Sequence, residues 1–442
     1  MNTLNIPTTL INFYMKEHNN LSDAEVKKDP NIDKITKEQW KASALAGMAS
    51  YLDAGSIVAL GAGLSLFQSY MNLSNNAIGL LAAIGPNAVG CAVGAFIGGR
   101  LGDKLGRKRI YQIDLLVYAF GILLIAFALN PVMLFAGTFI IGVAVGADVP
   151  TSLAYVGEAA PDKARGKLLG FTQVAWSFGP VVVLWMAMFL AHLDILGIRI
   201  VFLHLFVVAM VTWYLRRSLA ESSRWKVAAT TAKVKLRTLF SGSNLKGLAY
   251  TVVIYLFWNL AAGTAGIFNP YIIKTLGAGS QAASVGLSSA GFLICIVFTL
   301  LVFMPHSDRN FKTRRIIWAT GAIMQIAAYG ILLFLPFTIP VIVINILMFS
   351  SGAALAGEAF YKVFSQELFP TVLRGTAQGL TFGISRTLLG VWSFFVPALA
   401  NVGIESVAGL LTFFLIISGA VGFFFMPDTS GKSLEQIAQE RA

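Results

Sequence analysis

The chain has 442 residues, of which 56% are hydrophobic and only 12% are charged, and its formal net charge is +12. A water-soluble domain of this size and composition would expose a surface made largely of hydrocarbon, so we expect the chain in a lipid bilayer. The positive charge is therefore interpreted first by the positive-inside rule of membrane proteins. We do not expect the chain to bind nucleic acid. Cys91 and Cys295 lie inside apolar runs, which excludes a disulfide framework and a metal-ligand cluster.

The first 40 residues are polar and mixed in charge, so we expect no cleavable signal peptide and a start in the cytoplasm. Twelve apolar segments follow, each long enough to cross about 30 Å of hydrocarbon as a helix. They are residues 43–67, 76–98, 110–129, 131–156, 167–191, 196–216, 247–273, 282–304, 315–336, 339–363, 376–400 and 405–426.

The loops between these segments alternate in charge. The loops on one side hold only Arg199 and Lys274. By the positive-inside rule, the opposite, basic loops and both termini are expected on the cytoplasmic side of a cell membrane. These basic loops follow the even-numbered segments and hold Arg100 to Arg109, Lys163 to Lys167, Arg216 to Lys246, Arg309 to Arg315, and Arg374.

The chain repeats itself at long range. Glu158 and Glu367 each begin the pattern Glu-x-x-Pro-x-x-x-Arg-Gly-x-x-x-Gly, and Asp103 and Asp308 each begin a basic motif after the second segment of a half. Two six-segment halves are therefore expected, and parallel halves with a site between them near the bilayer midplane are typical of rocking transporters. The expected parts are a cytoplasmic segment 1–42, an N-terminal bundle 43–216, a cytoplasmic linker 217–246, a C-terminal bundle 247–426 and a cytoplasmic tail 427–442.

Residues 99–108, Gly-Arg-Leu-Gly-Asp-Lys-Leu-Gly-Arg-Lys, resemble the loop signature Gly-x-x-x-Asp-Arg/Lys-x-Gly-Arg-Arg/Lys of the major facilitator superfamily. The resemblance extends over the chain from residue 40. It implies an all-α membrane protein with twelve transmembrane helices in two pseudo-symmetric six-helix bundles. It also implies a latch of charge-assisted hydrogen bonds that break when the halves rock, with membrane anchoring as the simpler alternative. The expected gating residues are Asp103, Arg107, Glu158, Arg165, Asp308, Glu367 and Arg374.

Two subgroups of this superfamily are resembled. Residues 165–179 resemble the fifth-span motif of sugar porters, which implies that Gln173 binds sugar hydroxyls, but Trp258 and Asn259 stand where that group has paired glutamines. The stretches GVAVGADVP and YLDAGSIVALGAG instead resemble proton-coupled metabolite porters, in particular bacterial inositol-type permeases. We therefore expect a polyol ahead of a hexose. Gln173, Trp176, Trp258 and Asn259 are the expected substrate-binding residues, although aromatic residues in spans also simply pack.

Asp53 and Arg386 each lie about ten residues into an apolar segment, which at 1.5 Å per residue is about 15 Å deep, near the bilayer midplane. Charges at this depth are costly unless they face protein or a wet cavity. We expect Asp53 to carry the proton, because burial favours its neutral form and a nearby cation favours its charged form. Arg386 is expected to pair with Asp53 or to bind substrate oxygens; a purely structural role is the alternative for both.

Three further charges, Asp148, Glu358 and Lys362, lie within the segments. Lys362 follows Glu358 by four residues, so the two share a helical face and are expected to pair. We expect this set to act in gating or helix packing, with direct proton coupling as the alternative.

The sequence contains no nucleotide loop and no nucleophile with its base, so we expect neither an enzyme nor an ATP-driven pump, and no cofactor. The expected function is a proton-coupled symporter of a sugar or polyol such as inositol, working by alternating access as a monomer in the bilayer. Two alternatives remain: a proton-coupled organic anion transporter with Arg386 as counter-ion, and a non-transporting membrane sensor of the same fold.

Overall fold

The computed structural model describes residues 34–231, 235–275 and 281–441. Within this part, twelve helical spans are long and apolar enough to cross a membrane, so the predicted all-α class and number of spans are confirmed. The spans are Lys37–Met71, Asn76–Leu105, Arg107–Ala126, Pro131–Ala159, Arg165–Phe189, Ala191–Arg216, Gly242–Gly266, Val285–His306, Phe311–Leu333, Ile339–Glu367, Arg374–Val396 and Ile404–Phe424.

The first span begins before the predicted boundary at residue 43. Thr36 caps its N-terminus: the Thr36 hydroxyl accepts a hydrogen bond from the Gln39 amide at 3.2 Å, and the Gln39 side chain accepts one from the Thr36 amide at 2.9 Å. This reciprocal pair starts the helix at Lys37, in a polar stretch that an apolar pattern does not mark.

The connecting regions also contain helices. Residues 217–246 include the helix Ser223–Thr231 and the start of the helix Gly242–Thr275. Residues 427–442 include the helix Leu434–Arg441. The linker and the tail therefore have ordered secondary structure that the polar sequence alone did not predict.

Two spans are interrupted near their middle. The second consists of Asn75–Ile84 and Val89–Leu105, because Gly85 is extended and Pro86 has no amide hydrogen for the helix. The tenth consists of Ile339–Leu355 and Glu358–Glu367. At its break, a Cβ on Gly357 would lie 2.6 Å from the Trp258 indole, so only glycine fits this approach. The interruptions place Asn87 and Glu358 outside the regular turns of the preceding helices.

The spans form two six-span bundles with matching internal contacts. In the first, span one packs on span five, and span four on spans two and three; in the second, span seven packs on span eleven, and span ten on spans eight and nine. The bundles meet where span two contacts span eleven and where span five contacts span eight, two contacts related by the pseudo-two-fold axis. Gly99 backs directly on Gly375 and Gly379 at the first contact, which lets the backbones touch.

The outer surface of the bundles is strongly apolar. The side chains of Val132, Phe334 and Phe394 are 76%, 85% and 76% exposed, and many other large apolar residues are also exposed. In water such a surface would drive aggregation, whereas lipid tails solvate it, and the helices satisfy their own backbone groups. The chain is therefore a multi-pass membrane protein. We name the end of the bundles that carries the basic loops after the even-numbered spans the basic face.

Candidate functional site

A cavity lies between the two bundles. Trp176, Trp258 and Asn259, three of the predicted substrate-binding residues, line it. Asn87, which the sequence analysis did not single out, lines it from the interrupted second span. Both bundles thus contribute to one wall, which includes Ala54, Ile57, Asn87, Trp176, Pro180, Trp258, Asn259, Phe292, Glu358 and Arg386.

Asp53 and Arg386 form an ion pair beside this cavity, and each belongs to a different bundle. The distance from Arg386 Nη2 to Asp53 Oδ2 is 3.4 Å, and both side chains are buried. Trp176 Nε1 donates to Asp53 Oδ2 at 3.1 Å, and Arg386 Nη1 donates to Asn87 Oδ1 at 2.7 Å. The geometry is therefore that of the predicted Asp53–Arg386 partnership, and both partners of Arg386 belong to the opposite bundle.

Two more charges complete the buried cluster. Lys362 Nζ lies 3.6 Å from Glu358 Oε1, so the expected pair is present. Glu358 and Lys362 also lie within electrostatic range of Asp53, as Arg386 does. When all four groups are ionised, the cluster holds two negative and two positive charges. An unpaired ion costs several kcal/mol in this buried environment, so the balance of charges matters. A proton added to Asp53 removes its negative charge and must therefore change the pairing of Arg386.

Several polar atoms at the cavity or directly beside it lack hydrogen-bond partners within the described residues. They are Asp53 Oδ1, Trp258 Nε1, Asn259 Nδ2 and Arg386 Nε, and all are buried. Buried polar groups in folded proteins are nearly always paired, so these four atoms are free to bond to water or to a bound ligand. The set offers three N–H donors and one acceptor. No cluster of His, Cys, Asp and Glu that could hold a metal ion occurs among the described residues.

Gln173 is not among the residues that line the cavity, and its contact with a solute stays a prediction. Its side chain is buried, and its Oε1 accepts a hydrogen bond from Lys362 Nζ at 2.8 Å. The reason is its position one helical turn from Trp176 on the side of the basic face, where the short helix Glu358–Glu367 of the tenth span packs against the fifth span.

Asp148 lies inside the first bundle, away from the cavity. Arg216 Nη1 donates to both oxygens of Asp148 at 3.0 and 2.9 Å, and Arg216 Nη2 donates to the Leu45 carbonyl at 2.8 Å. Ser152 also donates to Asp148, and Asp114, a buried acid that the sequence analysis passed over, neighbours this pair. Arg216 is fully buried, although we had counted it among the loop charges. These contacts support a helix-packing role for Asp148.

A first network of charges joins the bundles at the basic face. Asp103 accepts hydrogen bonds from the amide of Gly375 at 3.1 Å and from the amide and hydroxyl of Thr376, both at 2.6 Å. These donors lie at the N-terminus of the helix Arg374–Val402, whose dipole favours a carboxylate. Arg107 bridges Asp103 at 2.6 Å and Glu158 at 2.7 Å, and Glu158 also pairs with Arg374 across the interface at 3.2 Å.

A second network repeats this arrangement with the bundles exchanged. Asp308 accepts from the amides of Gly166 and Lys167, both at 2.8 Å, at the start of the fifth span. Glu367 pairs with Arg314 at 2.9 Å and, across the interface, with Arg165 at 3.2 Å. Burial raises the pKa of Asp308, while Arg314 and the two amides act in the opposite direction. All the predicted gating residues lie in one of the two networks.

Arg314 was not predicted. It stands further from Asp308 in the sequence than Arg107 does from Asp103, so the repeated motif does not align the two arginines. Its signal in the sequence was the pair Arg314-Arg315 at the end of the echoed basic motif, of which the structure buries the first. Together the two networks join the two bundles at the basic face.

The comparisons agree with this architecture. The family model of the Major Facilitator Superfamily matches residues 43–394. The chain is 40% identical over 412 residues to the minor myo-inositol transporter IolF of Bacillus subtilis. The aligned region covers 90% of this chain and 93% of that protein. It is 24% identical over 342 residues to the D-xylose-proton symporter of Escherichia coli, over 67% of this chain and 69% of the symporter.

Among solved structures, the proton:xylose symporter XylE bound to 6-bromo-6-deoxy-D-glucose superposes with a TM-score of 0.80 at 19% sequence identity. The match covers 91% of this chain and 99% of that chain. The predicted arrangement of twelve transmembrane helices in two pseudo-symmetric bundles is thereby confirmed. The family match, the sequence identity to a relative over nearly the whole chain, and the shared fold together show that the chain belongs to the major facilitator superfamily.

Proposed function

We propose that this protein is a proton-coupled symporter that carries a sugar or polyol such as inositol across the cell membrane by alternating access. Similarity supports the solute class, since two bacterial relatives are named for myo-inositol and D-xylose. Both of those solutes are neutral and rich in hydroxyl groups. Their transport requires no cofactor and no chemical step on the solute, which suits a site without a nucleophile.

The observation that carries the proposal is the mixed set of unpaired polar atoms at the cavity. Trp258 Nε1 and Asn259 Nδ2 are donors, whereas Asp53 Oδ1 is an acceptor. A hydroxyl group both donates and accepts, so a polyol satisfies the two kinds of partner at once, while a carboxylate satisfies only the donors. The charges near the cavity are also balanced, which gives an organic anion no net attraction. The polyol is therefore favoured over the anion.

Asp53 is the proposed proton carrier. It is buried, it has one oxygen without a partner, and its cation Arg386 belongs to the opposite bundle. Protonation removes the charge that holds Arg386 and leaves the guanidinium with Asn87, also across the interface. The proton thus changes an attraction between the bundles, and this change couples proton binding to their rocking motion.

The proposed orientation has the basic face in the cytoplasm. Residues 1–42, the linker 217–246 and the tail 427–442 are then cytoplasmic, and the bundles 43–216 and 247–426 lie in the bilayer. The closed networks at the basic face correspond in this orientation to a state closed toward the cytoplasm. Since one chain supplies the whole wall of the cavity, the protein is proposed to work as a monomer.

Solute counterflow in proteoliposomes tests the proposal. Vesicles are loaded with unlabelled myo-inositol, other polyols, sugars or carboxylates, and entry of the labelled compound is followed. We expect counterflow of a polyol or sugar and none of the carboxylates. Counterflow of carboxylates alone would assign the organic anion alternative, and no flux of any compound, with the protein folded, would favour the non-transporting sensor.

A further inference from the structure

A short helix connects the cavity with the second network at the basic face. The helix Glu358–Glu367 is ten residues long, about 15 Å, and every residue of it is buried. Its first residue, Glu358, lines the cavity, and its last, Glu367, pairs with Arg165 and Arg314. The break before Glu358 separates this helix from the rest of the tenth span. It is therefore a rigid connection between the cavity and the closed face.

Lys362 lies midway along this helix. Its ammonium group is 3.6 Å from Glu358 Oε1 in its own bundle, and it donates to Gln173 Oε1 at 2.8 Å in the other bundle. The fifth span runs the opposite course beside it, with Arg165 in the second network, Gln173 next and Trp176 at the cavity. The Lys362–Gln173 bond thus lies between the cavity and the network.

This bond has the character of a strong one. The donor is charged, and both side chains are buried, with Lys362 0% and Gln173 4% exposed. Charge-assisted hydrogen bonds are roughly twice as strong as neutral ones, and exclusion of water strengthens them further. Because its two ends belong to different bundles, the bond must break whenever the bundles separate at the basic face.

We propose that the Lys362–Gln173 bond is an inner lock of the transport cycle, and that Gln173 acts in gating without contacting the solute. In the closed state Lys362 is shared between Glu358 and Gln173. When the basic face opens, Lys362 loses its hydrogen bond to Gln173 and keeps its ion pair with Glu358. The remaining ion pair ensures that the buried ammonium group is never unpaired. The role of this bond in transport rests on the proposed function. The effect of the bond on the open and closed conformations, in contrast, is a property of the protein without solute.

The test measures the conformation without any solute. Spin labels are placed at Arg109 and Lys312, exposed residues at the basic face on opposite bundles, in a cysteine-free background, and the distance between them is measured. Gln173→Met removes the acceptor and is expected to raise the open-to-closed ratio about tenfold. Gln173→Glu replaces the bond with an ion pair and is expected to lower that ratio. In a Lys362→Met background, both effects should disappear.

A matched control is Gln378→Met, which removes another buried glutamine whose side chain bonds to Gln366 within its own bundle at 2.5 Å. It should leave the distance distribution unchanged. Gln173→Asn, which shortens the side chain, gives a second variant if Gln173→Met does not fold. An unchanged ratio in the folded Gln173 variants, or the same shift with Lys362→Met present, would overturn the lock. A shift without transport of any polyol would keep the lock and reject the proposed function.

Discussion

Asp103→Asn is the sharpest test of the closed networks at the basic face. In the native protein Asp103 accepts three hydrogen bonds from Gly375 and Thr376 of the other bundle, besides its ion pair with Arg107. Asparagine has nearly the same shape but only one acceptor oxygen and no charge. Its amide group would face the donors that the second carboxylate oxygen now satisfies.

The magnitude follows from the bonds that cross the interface. Hydrogen bonds to a charged group contribute about 1.5–3 kcal/mol, and neutral ones about 0.5–1.5 kcal/mol. A carboxylate at a helix N-terminus adds about 0.3–1 kcal/mol, which the substitution also removes. We therefore expect the closed state to lose about 2 kcal/mol relative to the open one, which is about thirtyfold in their ratio.

The distance between spin labels on the two bundles at the basic face measures that ratio. Asp308→Asn should give a shift in the same direction, because Asp308 has the corresponding contacts with Gly166 and Lys167. Asp428→Asn is the control: Asp428 is an exposed acid on the same face and accepts a hydrogen bond from the Ser430 amide of its own half. If Asp103→Asn leaves the ratio unchanged while the protein folds normally, the latch assignment is wrong.

Further expectations concern the cavity. Asp53→Asn should abolish proton-driven accumulation of the solute but leave counterflow measurable, and unchanged uphill uptake would refute its role as proton carrier. Asn259→Ala should weaken polyol binding by about three- to tenfold, because a lost hydrogen bond costs about 0.5–1.5 kcal/mol. A direct binding measurement at fixed pH tests this, and unaltered affinity would remove Asn259 from the site. Arg386→Lys should alter the pH dependence of uptake more than polyol affinity, since lysine loses the planar fork toward Asp53 and Asn87; loss of solute affinity alone would favour an anionic solute.

Much of the fold followed from the sequence because lipid imposes simple requirements. Long apolar segments and alternating basic loops determine the spans, and the doubled Glu-Pro-Arg-Gly motif divides them into halves. Counting residues from the segment ends also placed Asp53 and Arg386 at equal depth, where the structure pairs them at 3.4 Å. Depth and charge sufficed there because few partners for an ion exist at that level.

The contacts that the sequence did not predict are those that depend on which helix faces which. Gln173 lies on the inner side of the fifth span, but only the packing of two bundles brings Lys362 to it. Asn87 lies beside Pro86 inside the predicted segment 76–98, and the break in the second span makes it a cavity residue. Arg216 resembles a loop cation by its place at a segment end, yet burial of Asp148 draws it into the bundle.

Proton movement driven by inositol tests the central claim most directly. Proteoliposomes with a pH-sensitive dye inside are given external myo-inositol without any imposed proton gradient. The account predicts acidification of the interior as inositol enters, and the signal should be lost in Asp53→Asn. Entry of inositol with no change of internal pH would contradict proton coupling, and neither entry nor acidification with any polyol or sugar would contradict the proposed transport.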